Sequence, residues 1–154
     1  MGTRSRIGVM HGSKVKSIYC HWDGYLGFNG EILQEHYDSA KANQLVALGD
    51  MSSLQADIGE KHAFSKHDVP NIEVRVHNDE WCTFYGRDRG EKGVEFKVAQ
   101  TFDEFLEQCD NCGAEYYYIM RDGVWYCGDT YESSPLSKKL TVLADALQAE
   151  TVDQ

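Results

Sequence analysis

The sequence EYYYIMRDGVWYC, which occupies residues 115–127, contains the strongest local signal for the fold of this 154-residue chain. Two runs of apolar and aromatic residues flank Arg121, Asp122 and Gly123. An Asp-Gly pair between such runs is typical of a type I′ turn, in which both central residues adopt a positive φ. The segment therefore predicts a hairpin of two antiparallel strands.

The first half of the chain shows a second hairpin and then a helical pattern. Residues 6–10 and 15–20 are apolar runs joined by a turn that contains Gly12. Helical spacing over residues 31–48 predicts one long helix, or two short helices if Asp38 acts as an N-cap. Gly49 then occupies the position of a left-handed C-terminal cap.

The second half alternates short strands with helices. Strands are predicted over residues 72–77, 81–85 and 94–98. Thr101 and Glu104 form a capping-box pattern that begins a helix. Its apolar face comprises Phe102, Phe105, Leu106 and Cys109. A last helix is predicted from Ser134-Pro135, with a buried stripe of Leu136, Leu140, Leu143 and Leu147.

These elements together predict an α+β fold. We expect a mainly antiparallel sheet built from hairpins and packed against three or four helices, because no regular βαβ alternation or internal repeat occurs. The length suits a single domain over residues 1–154. Residues 50–70 lack a clear period and are predicted to form a flexible surface loop.

The charge of the chain is concentrated in its second half. The whole sequence has 25 acidic and 15 basic residues, a net charge of −10. Residues 1–77 carry 8 basic and 9 acidic side chains, whereas residues 78–154 carry 7 and 16. The densest acidic stretch contains Asp103, Glu104, Glu107 and Asp110. It is either a solvated helix face or a negative surface that attracts a basic partner.

Composition also excludes several classes of protein. Generic nucleic-acid binding needs Lys and Arg to neutralise phosphates, so the acidity argues against it. No apolar window reaches the roughly 18 residues of a membrane span, and no signal-peptide pattern follows the basic start. The odd count of five cysteines then favours reduced thiols in a cytoplasm. No cofactor is expected, and the oligomeric state is left open.

The stretch YCHWDGY, residues 19–25, contains the densest group of chemically useful side chains. Tyr19, Trp22 and Tyr25 are candidate binding residues, and His21 and Asp23 are candidate catalytic residues. Strand alternation separates Cys20 from His21, so His21 and Asp23 are the more plausible polar pair. The alternatives are a catalytic site, a ligand- or partner-binding site, and core aromatics followed by a turn.

Two arginines, Arg87 and Arg89, occupy the glycine-bounded stretch YGRDRGE of residues 85–91. They can grip a phosphate or carboxylate in bidentate fashion. Asp88 and Glu91 lie close enough in sequence to neutralise them instead, which makes a self-contained ion-pair turn the alternative.

Cysteines and tyrosines supply two further candidates. Cys109 and Cys112 have zinc-knuckle spacing and Cys127 follows, but Cys20, Cys82 or a histidine would have to complete the four ligands, which argues against a metal site. A redox role is disfavoured because the pair lies near a predicted helix C-terminus among acids. In the hairpin, Tyr117 and its neighbours place aromatics on both faces, which predicts one core face and one exposed binding face.

The motifs "SIYCHWDGYLGFNGEILQEHYDSAKANQLVALGDMSSL", "WCTFYGRDRGE" and "EYYYIMRDGVWY" resemble those of small uncharacterised proteins encoded by tailed phages and prophages. The resemblance covers most of the chain and brings no known activity or catalytic residues. It implies an accessory protein acting in the cytoplasm of an infected bacterium. Cys109, Cys112 and Cys127 are not part of the resemblance.

The leading hypothesis is therefore a phage-type accessory protein that takes part in host takeover by binding a host protein through an acidic, aromatic surface. The first alternative is a small enzyme or ligand-binding protein with a pocket around residues 19–25. The second is a virion or assembly component. The sequence favours binding over catalysis.

Overall fold

A computed structural model of the chain describes residues 3–64 and 81–152. The strands in these residues are β1 (Ser5–His11), β2 (Lys14–Trp22), β3 (Met51–Ser53), β4 (Thr83–Phe84), β5 (Lys97–Ala99), β6 (Tyr116–Arg121), β7 (Val124–Asp129) and β8 (Thr141–Val142). They form one sheet in the order β4-β3-β2-β1-β6-β7-β8, and β5 pairs with β2.

The helices cover both faces of this sheet. They are α1 (Glu31–His36), α2 (Ser39–Ala47), α3 (Tyr85–Arg89), α4 (Phe102–Cys112) and α5 (Leu143–Val152), and a π-helical turn at Leu26–Gly30 precedes α1. On one face α1, α2 and α5 pack over a cluster that includes Ile18, Tyr118 and Trp125. On the other face α4 packs through Phe105 and Cys109.

Both predicted hairpins are confirmed. β1 and β2 pair antiparallel from Ser5–Cys20 to His11–Lys14, with Gly12 at a φ of +61° in the turn. β6 and β7 also pair antiparallel. Asp122 and Gly123 have φ values of +52° and +80°, as a type I′ turn requires.

Helix caps follow the predicted chemistry. The Asp38 carboxylate accepts a hydrogen bond of 2.8 Å from the Lys41 amide, so residues 31–48 form two helices rather than one. The Thr101 hydroxyl accepts from the Glu104 amide at 3.1 Å and begins α4. The Glu104 carboxylate accepts from the amide of Gln100 and not from that of Thr101.

The α+β class is confirmed, but the sheet is mixed. β1 pairs parallel with β6, and β2 pairs parallel with β3. A parallel pair needs a long crossover, and the chain between β2 and β6 supplies one that contains helices. The described residues contain five α-helices rather than three or four.

The predicted start of the last helix is wrong. Residues 134–140 form turns and one isolated β-bridge between Ser137 and Asp129, and α5 begins only at Leu143, after β8 has paired with β7. Asp129 holds this turn region, because its carboxylate accepts from the Tyr131 amide and its carbonyl accepts from the Lys138 amide. Leu136 and Leu140 consequently pack on opposite faces of the sheet instead of forming one helical stripe.

The segment predicted as a loop contains part of the core. β3 begins at Met51, and both Met51 and Leu54 are fully buried. Residues 65–70 and the predicted strand over 72–77 lie outside the described residues. The strands predicted over 81–85 and 94–98 are observed as the shorter β4 and β5. No described helix combines the length and the apolar character needed to cross a membrane.

Candidate functional site

Tyr19 and His21 form a polar pair on one face of β2. The Tyr19 hydroxyl lies 2.7 Å from Nδ1 of His21, and the Tyr19 amide donates to the Asp50 carboxylate at 2.9 Å. Among the described residues no hydrogen bond joins His21 to Asp23, so the partner of His21 is Tyr19. Cys20 lies on the opposite face of β2. Burial raises the pKa of its thiol to about 12, which keeps Cys20 protonated.

Arg87 and Arg89 form local ion pairs, as the alternative interpretation of their motif predicts. Arg87 donates to the Asp88 carboxylate at 3.0 Å and to the carbonyls of Ile58 and Cys82 at 2.9 and 2.8 Å. Arg89 pairs with Glu91 at 2.6 Å. These contacts tie α3 to its neighbours and engage both guanidinium groups within the protein.

Asp88 organises this region from a fully buried position. Its carboxylate accepts hydrogen bonds from the amides of Phe84 at 2.8 Å and His62 at 3.0 Å. The His62 ring bonds the Cys82 carbonyl at 3.0 Å. The YGRDRGE motif is therefore a structural junction, which local sequence pattern did not reveal because His62 comes from a distant segment.

The three candidate metal ligands do not converge. Cys109 belongs to the core beneath α4, whereas Cys127 belongs to the core on the other face of the sheet. Burial raises the pKa of both thiols, that of Cys127 to about 12. Within residues 3–64 and 81–152, no three His, Cys, Asp or Glu side chains are grouped so as to hold a metal ion.

The prediction of an exposed aromatic face on the hairpin is wrong. Tyr117, Tyr118 and Trp125 are all buried, because α4 covers one face of the hairpin and α1, α2 and α5 cover the other. The Tyr117 hydroxyl donates to the Lys139 carbonyl within the protein. Tyr117 is consequently a core residue and presents no contact surface.

The acidic stretch of α4 is a solvated helix face. Asp103, Glu107 and Asp110 are exposed and lie three or four residues apart, so their carboxylates share one side of the helix. None of the three forms an ion pair with another described residue. Glu104 is partly occupied by its hydrogen bond to Gln100.

The structure assembles an acidic, aromatic surface at a place that sequence reasoning did not identify. We call it the tyrosine surface. Its aromatic members are Tyr25, Phe28, Tyr116 and Tyr131, and its carboxylates are Glu115 and Glu150. Tyr25 is 43% exposed and Tyr131 is 46% exposed. These are the two most exposed large apolar side chains among the described residues.

Short contacts hold one half of the tyrosine surface in place. The rings of Tyr116 and Tyr131 meet edge to face, with centroids 5.8 Å apart. The Tyr131 hydroxyl donates to Glu115 at 2.9 Å. Partial burial and the neighbouring Glu115 carboxylate raise the pKa of Tyr131 to about 12, so this hydroxyl is neutral and acts as a donor.

Glu150 connects the Tyr116–Tyr131 pair to Tyr25 on the tyrosine surface. A Cβ atom placed on Gly27 would lie 3.4 Å from the Glu150 carboxylate and 3.7 Å from the Tyr25 ring. The charge of Glu150 also helps to raise the pKa of Tyr116, after the larger effects of burial and Asp129. The Tyr25 and Phe28 rings complete the surface with centroids 6.1 Å apart.

No family model, curated protein or solved structure matches the chain. Of the residues predicted from sequence, Tyr25 belongs to the tyrosine surface, and Trp22 is 40% exposed at the nearby end of β2. Tyr131, Phe28 and Glu150 were missed. Tyr131 and Glu150 reach the surface through the turn after β7 and through α5, so no local pattern marks their proximity, whereas Phe28 lies only three residues after Tyr25.

Proposed function

We propose that the chain is a phage-type accessory protein that acts in the cytoplasm of an infected bacterium by binding a basic region of a host protein. The observation that carries this proposal is the tyrosine surface, where Tyr25 and Tyr131 are exposed beside Glu150 and Glu115. The setting rests on the resemblance of the sequence motifs to those of small phage proteins, and the surface supports the binding role.

The chemistry of the tyrosine surface suits cationic side chains. The face of a tyrosine ring attracts Lys or Arg with about 0.5–1 kcal/mol at exposed sites. A carboxylate adds charge-assisted hydrogen bonds to an arginine that reaches the same place. Tyrosine is also enriched at the centres of protein interfaces, because it buries a large area while ordering few torsions.

The acidic face of α4 contributes at longer range. Asp103, Glu107 and Asp110 are exposed without ion-pair partners among the described residues. Such charges raise the association rate of a basic partner more than they raise its final affinity, and salt weakens their effect. The proposal therefore separates a contact surface from a charged face that steers the partner.

Affinity capture from a lysate of the bacterial host tests the proposal. Wild type is compared with the double variant Tyr25→Ser/Tyr131→Ser, and with the triple variant Asp103→Asn/Glu107→Gln/Asp110→Asn. Glu104 is left unchanged because of its bond to Gln100. The matched control is Glu35→Gln/Glu95→Gln, since both glutamates are exposed and lie outside the two surfaces.

The expected result is a basic host protein that is retained by wild type and by the control and lost from the tyrosine variant. The triple variant should capture less of it, with the difference largest at low salt. Capture that is equal for all four proteins contradicts the proposal. Light scattering on the same samples distinguishes the alternative of an assembly component, which requires the chain to associate with itself.

A further inference from the structure

A buried arginine lies against the Cys109-Cys112 pair. Arg6 is only 2% exposed, yet no described carboxylate lies within ion-pairing distance of its guanidinium. Two of its nitrogens bond the side chain and the carbonyl of Ser17 at 2.9 and 3.0 Å. Its Nη1 points to the sulfur of Cys112 at 3.7 Å.

This arrangement is unusual because a buried guanidinium is costly without a compensating negative charge. Asp50 interacts with Arg6 electrostatically but forms no ion pair with it. Cys112 is the last residue of α4, so the partial negative charge of the helix C-terminus reaches the same region. The sulfur of Cys112 is in direct contact with Nη1, so Arg6 supplies the positive charge whose absence from the local sequence counted against a redox role for this pair.

The two cysteines are placed to form a disulfide. Residues three apart in an α-helix have Cα atoms about 5 Å apart, within the range that a disulfide spans. The Cys112 thiol already points back along the helix, since it donates to the Cys109 carbonyl at 3.5 Å. Cys112 is half-buried and accessible, whereas Cys109 is fully buried.

We propose that Cys112 and Cys109 form a peroxide-sensitive dithiol in which Arg6 positions the attacking sulfur. The Cys112 thiolate attacks one oxygen of hydrogen peroxide, so that an S–O bond forms, the O–O bond breaks and hydroxide leaves. The Cys109 sulfur then attacks the sulfenic acid, an S–S bond forms, and the S–O bond breaks. The thiol proton of Cys109 leaves with the hydroxyl group as water. Two thiols are oxidised and one peroxide is reduced.

Oxidation has a structural consequence beside the sheet. Drawing the Cys112 sulfur towards Cys109 removes it from Arg6 and leaves Nη1 without that contact. Arg6 lies on β1 in the middle of the sheet, so its environment changes with the redox state. This inference concerns the α4 face and does not depend on the tyrosine surface.

Thiol counting on the native protein tests the dithiol. Wild type is treated with dilute hydrogen peroxide, remaining thiols are alkylated, and peptides are mapped by mass spectrometry. We expect loss of two of the five thiols, with Cys109 and Cys112 joined, and full recovery with a dithiol reductant. Cys127→Ser, which removes a buried thiol on the other face, should still lose two thiols. Oxidation of all cysteines at similar rates, or of none, overturns the proposal.

Two variants test the order of events. Cys109→Ser should stop at a sulfenic acid on Cys112 that a cyclic 1,3-dione traps, whereas Cys112→Ser should lose no thiol at the same peroxide concentration. Arg6→Gln should slow the wild-type reaction several-fold, provided that circular dichroism shows an unchanged fold. Trapping of the sulfenic acid on Cys109 in Cys112→Ser would contradict the assigned order.

Discussion

Asp88 shows how much depends on one buried side chain. Its carboxylate accepts hydrogen bonds from the amides of Phe84 and His62 and pairs with the side chain of Arg87, and it is fully shielded from water. The neighbouring pair of Arg89 and Glu91 is shorter, at 2.6 Å, but both side chains are more than 40% exposed. Burial, not distance, decides which of the two pairs matters for stability.

We therefore expect Asp88→Asn to lower the free energy of unfolding by about 3 kcal/mol, because it leaves the Arg87 side chain, which is only 13% exposed, without its charge partner. Glu91→Gln should cost at most about 1 kcal/mol, as exposed ion pairs do. Urea unfolding followed by circular dichroism measures both. Equal effects of the two substitutions would contradict the structural role of Asp88.

At the scale of elements, packing around the β6–β7 hairpin requires a glycine at position 128, although Gly128 has an ordinary backbone conformation. A Cβ atom added to Gly128 would overlap the Tyr117 hydroxyl and the Lys139 carbonyl. Overpacking of this kind costs about 1–3 kcal/mol. Gly128→Ala should thus lower the midpoint of thermal unfolding.

Gly86→Ala is the matched control for that substitution. Gly86 lies in α3, and an added Cβ would meet only ordinary contacts, the nearest at 3.5 Å from Val94. Alanine is about 1 kcal/mol better than glycine in a helix interior, so Gly86→Ala should be neutral or stabilising. An unfolding midpoint for Gly128→Ala as high as that of Gly86→Ala would refute the packing explanation.

The local sequence predicts well those turns and helix caps that are formed by residues close together in the chain. Asp122-Gly123, the Asp38 cap and the Thr101 cap need only residues within a few positions of each other. The parallel pairing of β1 with β6 joins Ser5 to Tyr116, which lie far apart in the sequence, so no local pattern predicts it. The late start of α5 also depends on a contact between separate segments, because residues 141–142 pair with β7 as a strand and the helix begins only after them.

The tyrosine surface has the acidic, aromatic composition that the sequence predicts for a binding surface, but it lies in a different place from the predicted one. An acidic, aromatic surface was expected on the hairpin, where Tyr117 is in fact core. Tyr25 was identified because its motif is locally dense in aromatics. Tyr131 and Glu150 were not, since only the folded sheet and α5 bring them beside Tyr116 and Gly27.

The whole molecule should lose stability in alkaline solution. Burial raises the pKa values of Cys20 and Cys127 from 9.0 to about 12. The unfolded chain therefore releases these protons first, and the stability present below pH 9 is lost as the pH rises from 9 towards 12. Each thiol should cost about 1 kcal/mol by pH 10.

Urea unfolding at pH 8 and pH 10 measures this loss. Cys127→Ala should have a lower stability than wild type at pH 8 and should lose about 1 kcal/mol less between the two pH values. Tyr118 adds to the loss at higher pH, because burial raises its pKa well above 10. A free energy of unfolding that is unchanged between pH 8 and pH 10 would show that the thiols are not buried as described.

Photo-crosslinking in host cells tests the binding account most directly. A photoreactive phenylalanine derivative replaces Tyr131 on the tyrosine surface in one protein, and Glu35 in another. Glu35 lines a surface cavity together with Gly123, which lies at the opposite end of the β6–β7 hairpin from Tyr116. We predict that position 131 captures one basic host protein and that position 35 does not. Equal capture from both positions, or capture from position 35 alone, would contradict the account.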